Sequence, residues 1–191
     1  SLVESLLYKA GATTRLGSVE DGTSVADYDA DAKEKKHTID SSILHCNWKG
    51  REINIIDTPG YVDFIRDTIT SLVAAETALI TISATDGIQV NTRKLWDLAC
   101  QKGIGKIIVV TKIDGENIDY QALLDSIKNT LGSTCVPLVL PIGTGHDFQG
   151  VVNVFELPNP LPNGVVGDAH SAHDALIEAI VSADDALMEK Y

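Results

Sequence analysis

Long apolar runs are missing from this chain. No stretch reaches the ~18 residues that a membrane-spanning helix needs, and none has the layout of a secretory signal. The expectation is a cytoplasmic protein with no membrane partner. Cysteine is scarce: Cys46, Cys100 and Cys135 stand far apart, with no C-x-x-C pair and no His–Cys spacing of the zinc type. Three reduced, buried thiols are expected. Positive charge is also short, since 15 Lys and Arg face 27 Asp and Glu for a formal charge of −12. A surface this acidic argues against direct nucleic-acid binding through the chain's own charge. What is present is a globular composition. With 44% hydrophobic residues in 191, the chain can bury a real core.

The stretch that organises the rest runs Ile53-Asn54-Ile55-Ile56-Asp57-Thr58-Pro59-Gly60-Tyr61-Val62-Asp63-Phe64. Ile53, Ile55 and Ile56 are β-branched and fall on both parities, which predicts a strand buried on both faces of a parallel α/β sheet. Ligands bind at the carboxyl ends of such strands, so Asp57 is well placed for chemistry. Pro59 fixes φ, and Gly60 has backbone freedom that lets its N–H approach a ligand closely. Taken alone, these four residues fit a plain Pro-Gly turn equally well.

A second apolar strand, residues 106–110, ends about fifty residues later in Thr111-Lys112-Ile113-Asp114. This pair resembles the third and fourth motifs of a GTP-binding domain. The flanking residues narrow the resemblance to the translational GTPases, and among them to the elongation factor G group, closer to a divergent paralogue. It runs from Ser1 to about Phe155 and weakly on to Tyr191. The fold class it implies, in agreement with the strand pattern, is α/β: a mostly parallel sheet flanked by helices, as in P-loop GTPases, with an inserted subdomain. The core of the GTP-binding domain is expected over 1–134 and the start of the inserted subdomain over 135–191.

Ser1-Leu2-Val3-Glu4 resembles the residues that follow the family's phosphate-binding loop. The lysine for the β/γ-phosphates and the hydroxyl for Mg²⁺ would then lie upstream of Ser1, with the strand before them. The chain is expected to be a piece of a larger protein rather than a domain that lost this loop. Lys36-His37-Thr38-Ile39 falls where the family has its first switch and an Arg-Gly-Ile-Thr-Ile motif. The resemblance gives Thr38 the role of a Mg²⁺ ligand that senses the γ-phosphate; a plain strand start is the alternative. Lys36 replaces the usual glycine. By the same resemblance Asp57 holds Mg²⁺ through water and Gly60 donates to the γ-phosphate, with Thr58 and Pro59 between them at the nucleotide.

Position 61 departs from the pattern. The family has histidine there to position the attacking water, whereas this chain has Tyr61. A phenol can orient water but carries no imidazolium charge, so slower or differently triggered hydrolysis is expected. At the other motif, Asp114 can accept from both the ring and exocyclic N–H groups of guanine, and the stem of Lys112 can lie over the purine. Thr111 is shorter than the usual Asn and should tether the phosphate loop less firmly.

Elsewhere the pattern predicts a helix over 1–11 with Leu2, Val3, Leu6 and Leu7 on its apolar face, and a mobile surface segment over 13–37. A hairpin follows over 39–56, turning at Lys49-Gly50. Helices are expected over 62–75, from Asn91 or Thr92 to about 102, over 117–131 and over 172–189, and a further buried strand over 76–83. The helix over 62–75 carries a stripe of Val62, Ile65, Ile69, Leu72 and Val73. Val136-Pro137-Leu138-Val139-Leu140-Pro141-Ile142-Gly143 and Phe148-Gln149-Gly150-Val151-Val152-Asn153-Val154 resemble segments particular to the elongation factor G group. His170 and His173 lack a partnering acid cluster and read as solvated.

The function implied is that of the GTP-binding domain of an elongation factor G-like GTPase. Its ligands would be GTP or GDP with Mg²⁺, and its partner the ribosome, met through the full-length protein. Two alternatives stand beside it: a non-catalytic interaction module that keeps the fold without binding nucleotide, and a release-factor GTPase relative.

Overall fold

The computed structural model describes residues 2–189. The chain is α/β, with the elements in the order α1 (Leu2–Lys9), α2 (Ala30–Lys35), β1 (Ser42–Trp48), β2 (Arg51–Asp57), a 3-10 turn (Val62–Phe64), α3 (Ile65–Ser71), β3 (Thr77–Ser83), α4 (Val90–Gln101), β4 (Gly105–Thr111), α5 (Tyr120–Leu131), β5 (Val139–Ile142), a second 3-10 turn (Gly145–Asp147), β6 (Gly150–Asn153), α6 (Ala169–Val181) and α7 (Asp185–Met188). Two compact units divide the chain: Ser1–Ala78 with Leu98–Lys106, and Leu79–Asp97 with Ile107–Tyr191. No helix among the described residues is long and apolar enough to cross a membrane.

In the first unit, β1 and β2 form an antiparallel ribbon with Ser42 opposite Asp57 and Trp48 opposite Arg51. The turn is tight because Lys49 and Gly50 both take positive φ, 49° and 77°, the geometry a two-residue hairpin loop demands. Val3 and Leu7 of α1, Ala26, and Leu44 and Cys46 of β1 make the core, with Ile55 packed against it. Only one face of the ribbon is therefore covered, and β2 is exposed over residues 51–54. This corrects the expectation of a strand buried on both faces: Ile53 and Ile55 lie opposite Cys46 and Leu44 on the covered face, whereas Ile56 lies opposite the exposed Ile43 on the other.

The polar packing under α1 was not anticipated. Glu4 is fully buried. Its Oε1 accepts from the Val25 amide at 2.7 Å, the Ser24 hydroxyl at 3.1 Å and the Ala26 amide at 3.4 Å. Oε2 accepts from the Gly17 amide at 3.2 Å. A buried carboxylate is tolerable when donors surround it in this way. The expected apolar face is corrected accordingly, since Glu4 is inside and Leu6 is exposed. Residues 13–37 are likewise more than surface loop: Ser24, Ala26 and Asp27 are buried, and α2 lies within the segment.

Helix α3 buries Thr68 alone. Val62, Ile69 and Val73 are exposed, so the apolar stripe expected over 62–75 does not face a core. Thr68 instead donates to the Pro59 carbonyl at 3.2 Å, tying α3 to the turn after β2.

β3 and β4 pair with each other. Gly105 donates to Glu76 at their starts and Ala84 to Thr111 at their ends, at 3.1 and 2.8 Å, the pattern of parallel strands. β3 alternates, burying Ala78, Ile80 and Ile82 and exposing the residues between. In the second unit Ile82 packs with Leu123, Ile127 and Leu131 of α5. Asp119 caps α5 by accepting from the Ala122 amide, so the helix starts three residues later than expected. β5 and β6 are antiparallel, Leu140 opposite Val152. Their core holds Leu140, Val152, Val154, Ala169 and Leu176.

The single helix expected over 172–189 is two. Ser182–Asp184 interrupt it, because Asp184 turns its carboxylate to the Ala186 and Leu187 amides and begins α7. The cysteines also differ from expectation: Cys46 is buried, Cys135 half-buried and Cys100 exposed. His173 is half-buried with Nδ1 2.8 Å from the Val154 carbonyl, so it is a packing residue rather than a solvated one.

Candidate functional site

The end of β2 and the segment before β1 meet in one cleft. Because Ser42 lies opposite Asp57, the chain entering β1 and the chain leaving β2 do so at the same end of the ribbon. Thr38 and Asp57 are thereby brought together. A cavity of about 370 Å³ is lined there by Val19, Asp27, Lys36, His37, Thr38, Asp57, Gly60 and Tyr61. Four residues singled out in the sequence, Thr38, Asp57, Gly60 and Tyr61, thus share one wall. Pro59 is buried and holds the turn through its carbonyl and Thr68, while Thr58 is half-buried beside it. A Cβ built on Gly60 would meet nothing within 4 Å, so the backbone there is open to close approach.

Thr38 donates its hydroxyl to Asp27 at 3.0 Å. Asp27 is buried and was not found in the sequence, where it is one of several acids in a weakly patterned stretch. Burial pushes the Asp57 carboxyl above the usual range, and the nearby Asp27 carboxylate adds to the shift. Two carboxylates and a hydroxyl form an all-oxygen donor set, the kind that suits Mg²⁺. Among the described residues no cluster of three or more His, Cys, Asp or Glu stands ready to hold a metal alone. Mg²⁺ commonly binds through one or two carboxylates, with waters and substrate phosphates completing its shell, and the cleft fits that mode.

The raised Asp57 has a consequence for stability. The native state holds this proton more tightly than the unfolded chain does. Its contribution is present below the ordinary carboxylate range and is lost as pH rises through the native value. Above that range Asp57 is therefore unfavourable to the ligand-free fold. Asp57→Asn should raise the melting temperature by a few degrees near pH 7 without nucleotide or metal. The gap should close in acid; thermal melts across pH check it, and a lower melting temperature at pH 7 would contradict the sign.

Two further residues shape the cleft. Lys36 ends α2 in the left-handed region (φ 55°, ψ 35°), the conformation glycine adopts most easily, and pairs with Glu20. The hydrogen bond and charge of Glu20 raise the Lys36 ammonium above its usual value. His37 sets its ring against Tyr61, centroids 4.6 Å apart and planes tilted by 47°. The sequence offered no signal for that contact.

The other motif belongs to the second unit. Thr111 ends β4 and its hydroxyl donates to the Ile82 carbonyl at 3.4 Å. Lys112 takes positive φ, 56°, and its carbonyl accepts from the Gly115 amide at 3.0 Å. Its ammonium lies 3.9 Å from Asp86, both exposed. Hydrogen bonding by Ser83 holds Asp86 below the usual carboxylate range, with a lesser contribution from Lys112. Gly115 is needed at this turn, since a Cβ there would fall 2.8 Å from the Thr85 methyl. The result is an exposed Asp114 on a tight loop at the carboxyl end of a strand. Asn91 and Thr92 fall inside α4, which begins at Val90. Ser1 lies outside the described residues.

Comparison with known proteins places the chain in a family. Residues 1–186 match the family described as the elongation factor Tu GTP binding domain. Elongation factor G of Granulibacter bethesdensis is 32% identical over 203 residues, covering 98% of this chain and 29% of the relative. Elongation factor G of Fervidobacterium nodosum is 33% identical over 202 residues with the same coverage. A crystal structure of a protein from Thermus thermophilus superposes with a TM-score of 0.86 at 35% identity, covering all of this chain and 30% of that one. The chain thus spans just under a third of the length of the relatives it matches. It belongs to the elongation factor Tu GTP-binding domain family, as a GTP-binding domain of the elongation factor G-like kind.

Proposed function

We propose that this chain is the nucleotide-binding and switching part of a translational GTPase of elongation factor G type, acting on the ribosome through its full-length, cytoplasmic parent. The observation that carries the reading is the gathering of Thr38, Asp57, Gly60 and Tyr61 around one cleft. These come from two segments at one end of the β1–β2 ribbon, and a γ-phosphate with its metal would engage both. Residues 1–134 are assigned to the core of the GTP-binding domain and 135–191 to the start of the inserted subdomain.

Phosphoryl transfer to water asks little covalent chemistry of a protein; positioning and charge neutralisation do most of it. Mg²⁺, when bound, supplies neutralisation at the phosphate oxygens. Thr38 would hold it by its hydroxyl, turning away from Asp27 to do so, and Asp57 through water. Gly60 would donate its amide to the γ-phosphate on a backbone set by Thr58 and Pro59. Tyr61 would stand beside the attacking water. In the second unit Asp114 would accept from two guanine N–H groups, Lys112 would cover the purine face with its aliphatic stem, and Thr111 would anchor the loop to its strand. Loss of the γ-phosphate would release Thr38 back to Asp27 and free the segment after Gly60, a disorder–order switch of the usual GTPase kind.

Equilibrium binding of a fluorescent GTP analogue and of GDP, with and without Mg²⁺, tests this reading. The 191-residue chain is measured beside one extended upstream to include the expected phosphate loop. The extended chain should bind clearly and the shorter one no tighter than the high micromolar range, about 4–5.5 kcal/mol, because the phosphate anchor supplies much of the affinity. An extended chain that ignores GTP would overturn the proposal.

A further inference from the structure

We infer that His37, one segment away from the position the family uses, supplies the imidazole that holds the attacking water. The inference rests on the GTPase reading above and deepens it. Three observations point to it. His37 lines the same cleft as Thr38, Asp57 and Gly60. Its ring lies against Tyr61, the residue that occupies the expected water-positioning place, at 4.6 Å between centroids. And its tautomer is set: Nδ1 is 2.9 Å from the Lys35 carbonyl, which can only accept, so Nδ1 carries the hydrogen in the neutral ring. Nε2 then keeps its lone pair, which is the acceptor an attacking water needs.

Tyr61 and His37 thereby divide one task. The tyrosine is 57% exposed and offers a broad apolar face on which the imidazole rests. Such tilted ring pairs fix orientation as well as burying surface. The residue before it is tied down on the other side, since Lys36 is engaged with Glu20. In the motif Arg-Gly-Ile-Thr-Ile the position of His37 is held by isoleucine, which has no acceptor, whereas this chain carries one there.

In the step itself, the water oxygen bonds to the γ-phosphorus while the bond from that phosphorus to the β–γ bridging oxygen breaks, its electron pair remaining on GDP. One water hydrogen stays on the incoming oxygen. The other, hydrogen-bonded to Nε2 during attack, ends on a γ-oxygen of the released inorganic phosphate. His37 aligns the water and leaves the step unchanged.

The test uses the full-length protein with ribosomes, single-turnover hydrolysis at saturating radiolabelled GTP, and GTP affinity measured separately. His37→Phe keeps a ring against Tyr61 but has no nitrogen. It should slow hydrolysis by about a hundredfold, within the range of a lost proton-directing group, while GTP affinity changes by less than about threefold. His37→Gln, which restores an acceptor oxygen, should recover about tenfold of that loss. Tyr61→Phe, which keeps the ring, should cost less than His37→Phe. The inference is overturned if His37→Phe hydrolyses within about twofold of the unaltered protein, if Gln recovers nothing, or if Tyr61→Phe carries the larger loss. Failure of the unaltered protein to bind GTP would instead sink the GTPase reading, and the affinity measurement separates the two.

Discussion

Glu4→Ala should cost the first unit about 3–5 kcal/mol, a large part of the ~5–15 kcal/mol that holds a typical domain together. The carboxylate has no exposed surface and accepts from Gly17, Ser24, Val25 and Ala26. Removing it strands buried donors from three backbone amides and a hydroxyl, each costing about 1–3 kcal/mol when left unsatisfied. Rewetting of the loop would return part of this, which is why the expected loss is below the simple sum. Glu4→Gln should fall between, since it keeps an acceptor but turns an amide N–H₂ toward one set of donors. Gly17→Ala probes the same contact from the other side, because a Cβ there would lie 2.4 Å from Oε2 and 2.7 Å from the Thr23 carbonyl. Urea unfolding followed by the emission of Trp48, which lies in β1 of this unit, reads the change. A loss under about 1 kcal/mol for Glu4→Ala would show that the segment 17–26 is held by something else.

Asp114→Ala should abolish the preference for guanine. A carboxylate that accepts two N–H groups of one base makes paired, charge-assisted bonds, and a site built on such a pair rejects a ligand lacking its partners by large factors. We expect GTP affinity of an upstream-extended chain to fall by about 10²–10³-fold, with the weak binding of ATP unchanged, so that the two nucleotides become nearly equal. Asp114 is exposed on a loop that Gly115 and the backbone of Lys112 shape, so the substitution should leave folding untouched. Competition between GTP and ATP for a fluorescent nucleotide measures it. Retained discrimination would remove Asp114 from the base site.

What the sequence made legible was punctuation. Asp57 and Thr111 stand at strand ends as expected, because a run of β-branched residues that stops at an acid or hydroxyl and then Pro or Gly leaves few other readings. Thr38, Asp57, Gly60 and Tyr61 stand out one by one in the sequence, and the fold adds their meeting in one cleft. Packing direction was less legible. The isoleucines of β2 read as buried on both faces, yet α1 and Ala26 cover the ribbon on one face only. The stripe on α3 was apolar without a core to meet. Least legible was the segment 13–37, whose order comes from a glutamate 13 to 22 residues away. Apolar periodicity does not register a fold held by a carboxylate and amides. Asp27 and His37 carry no such signal for the same reason, since what defines them is a neighbour distant in pattern: Thr38 for one, Tyr61 for the other.

The β1–β2 ribbon has a mechanical side as well. Both segments that line the cleft leave from one end of it, and Trp48, Lys49 and Gly50 form its other end. Seven paired residues at ~3.3 Å each make an arm about 20 Å long. A ribbon hydrogen-bonded along its whole length is stiff against bending in its own plane, so any rotation about its cleft end would be carried to the far turn as by a lever. Tilting it by roughly 10° would carry the Trp48 turn through about 3–4 Å over that length. A displacement too small to notice beside a phosphate thus arrives at the far tip as one large enough for a neighbouring molecule to feel, and the half-exposed Trp48 is the side chain that would deliver it.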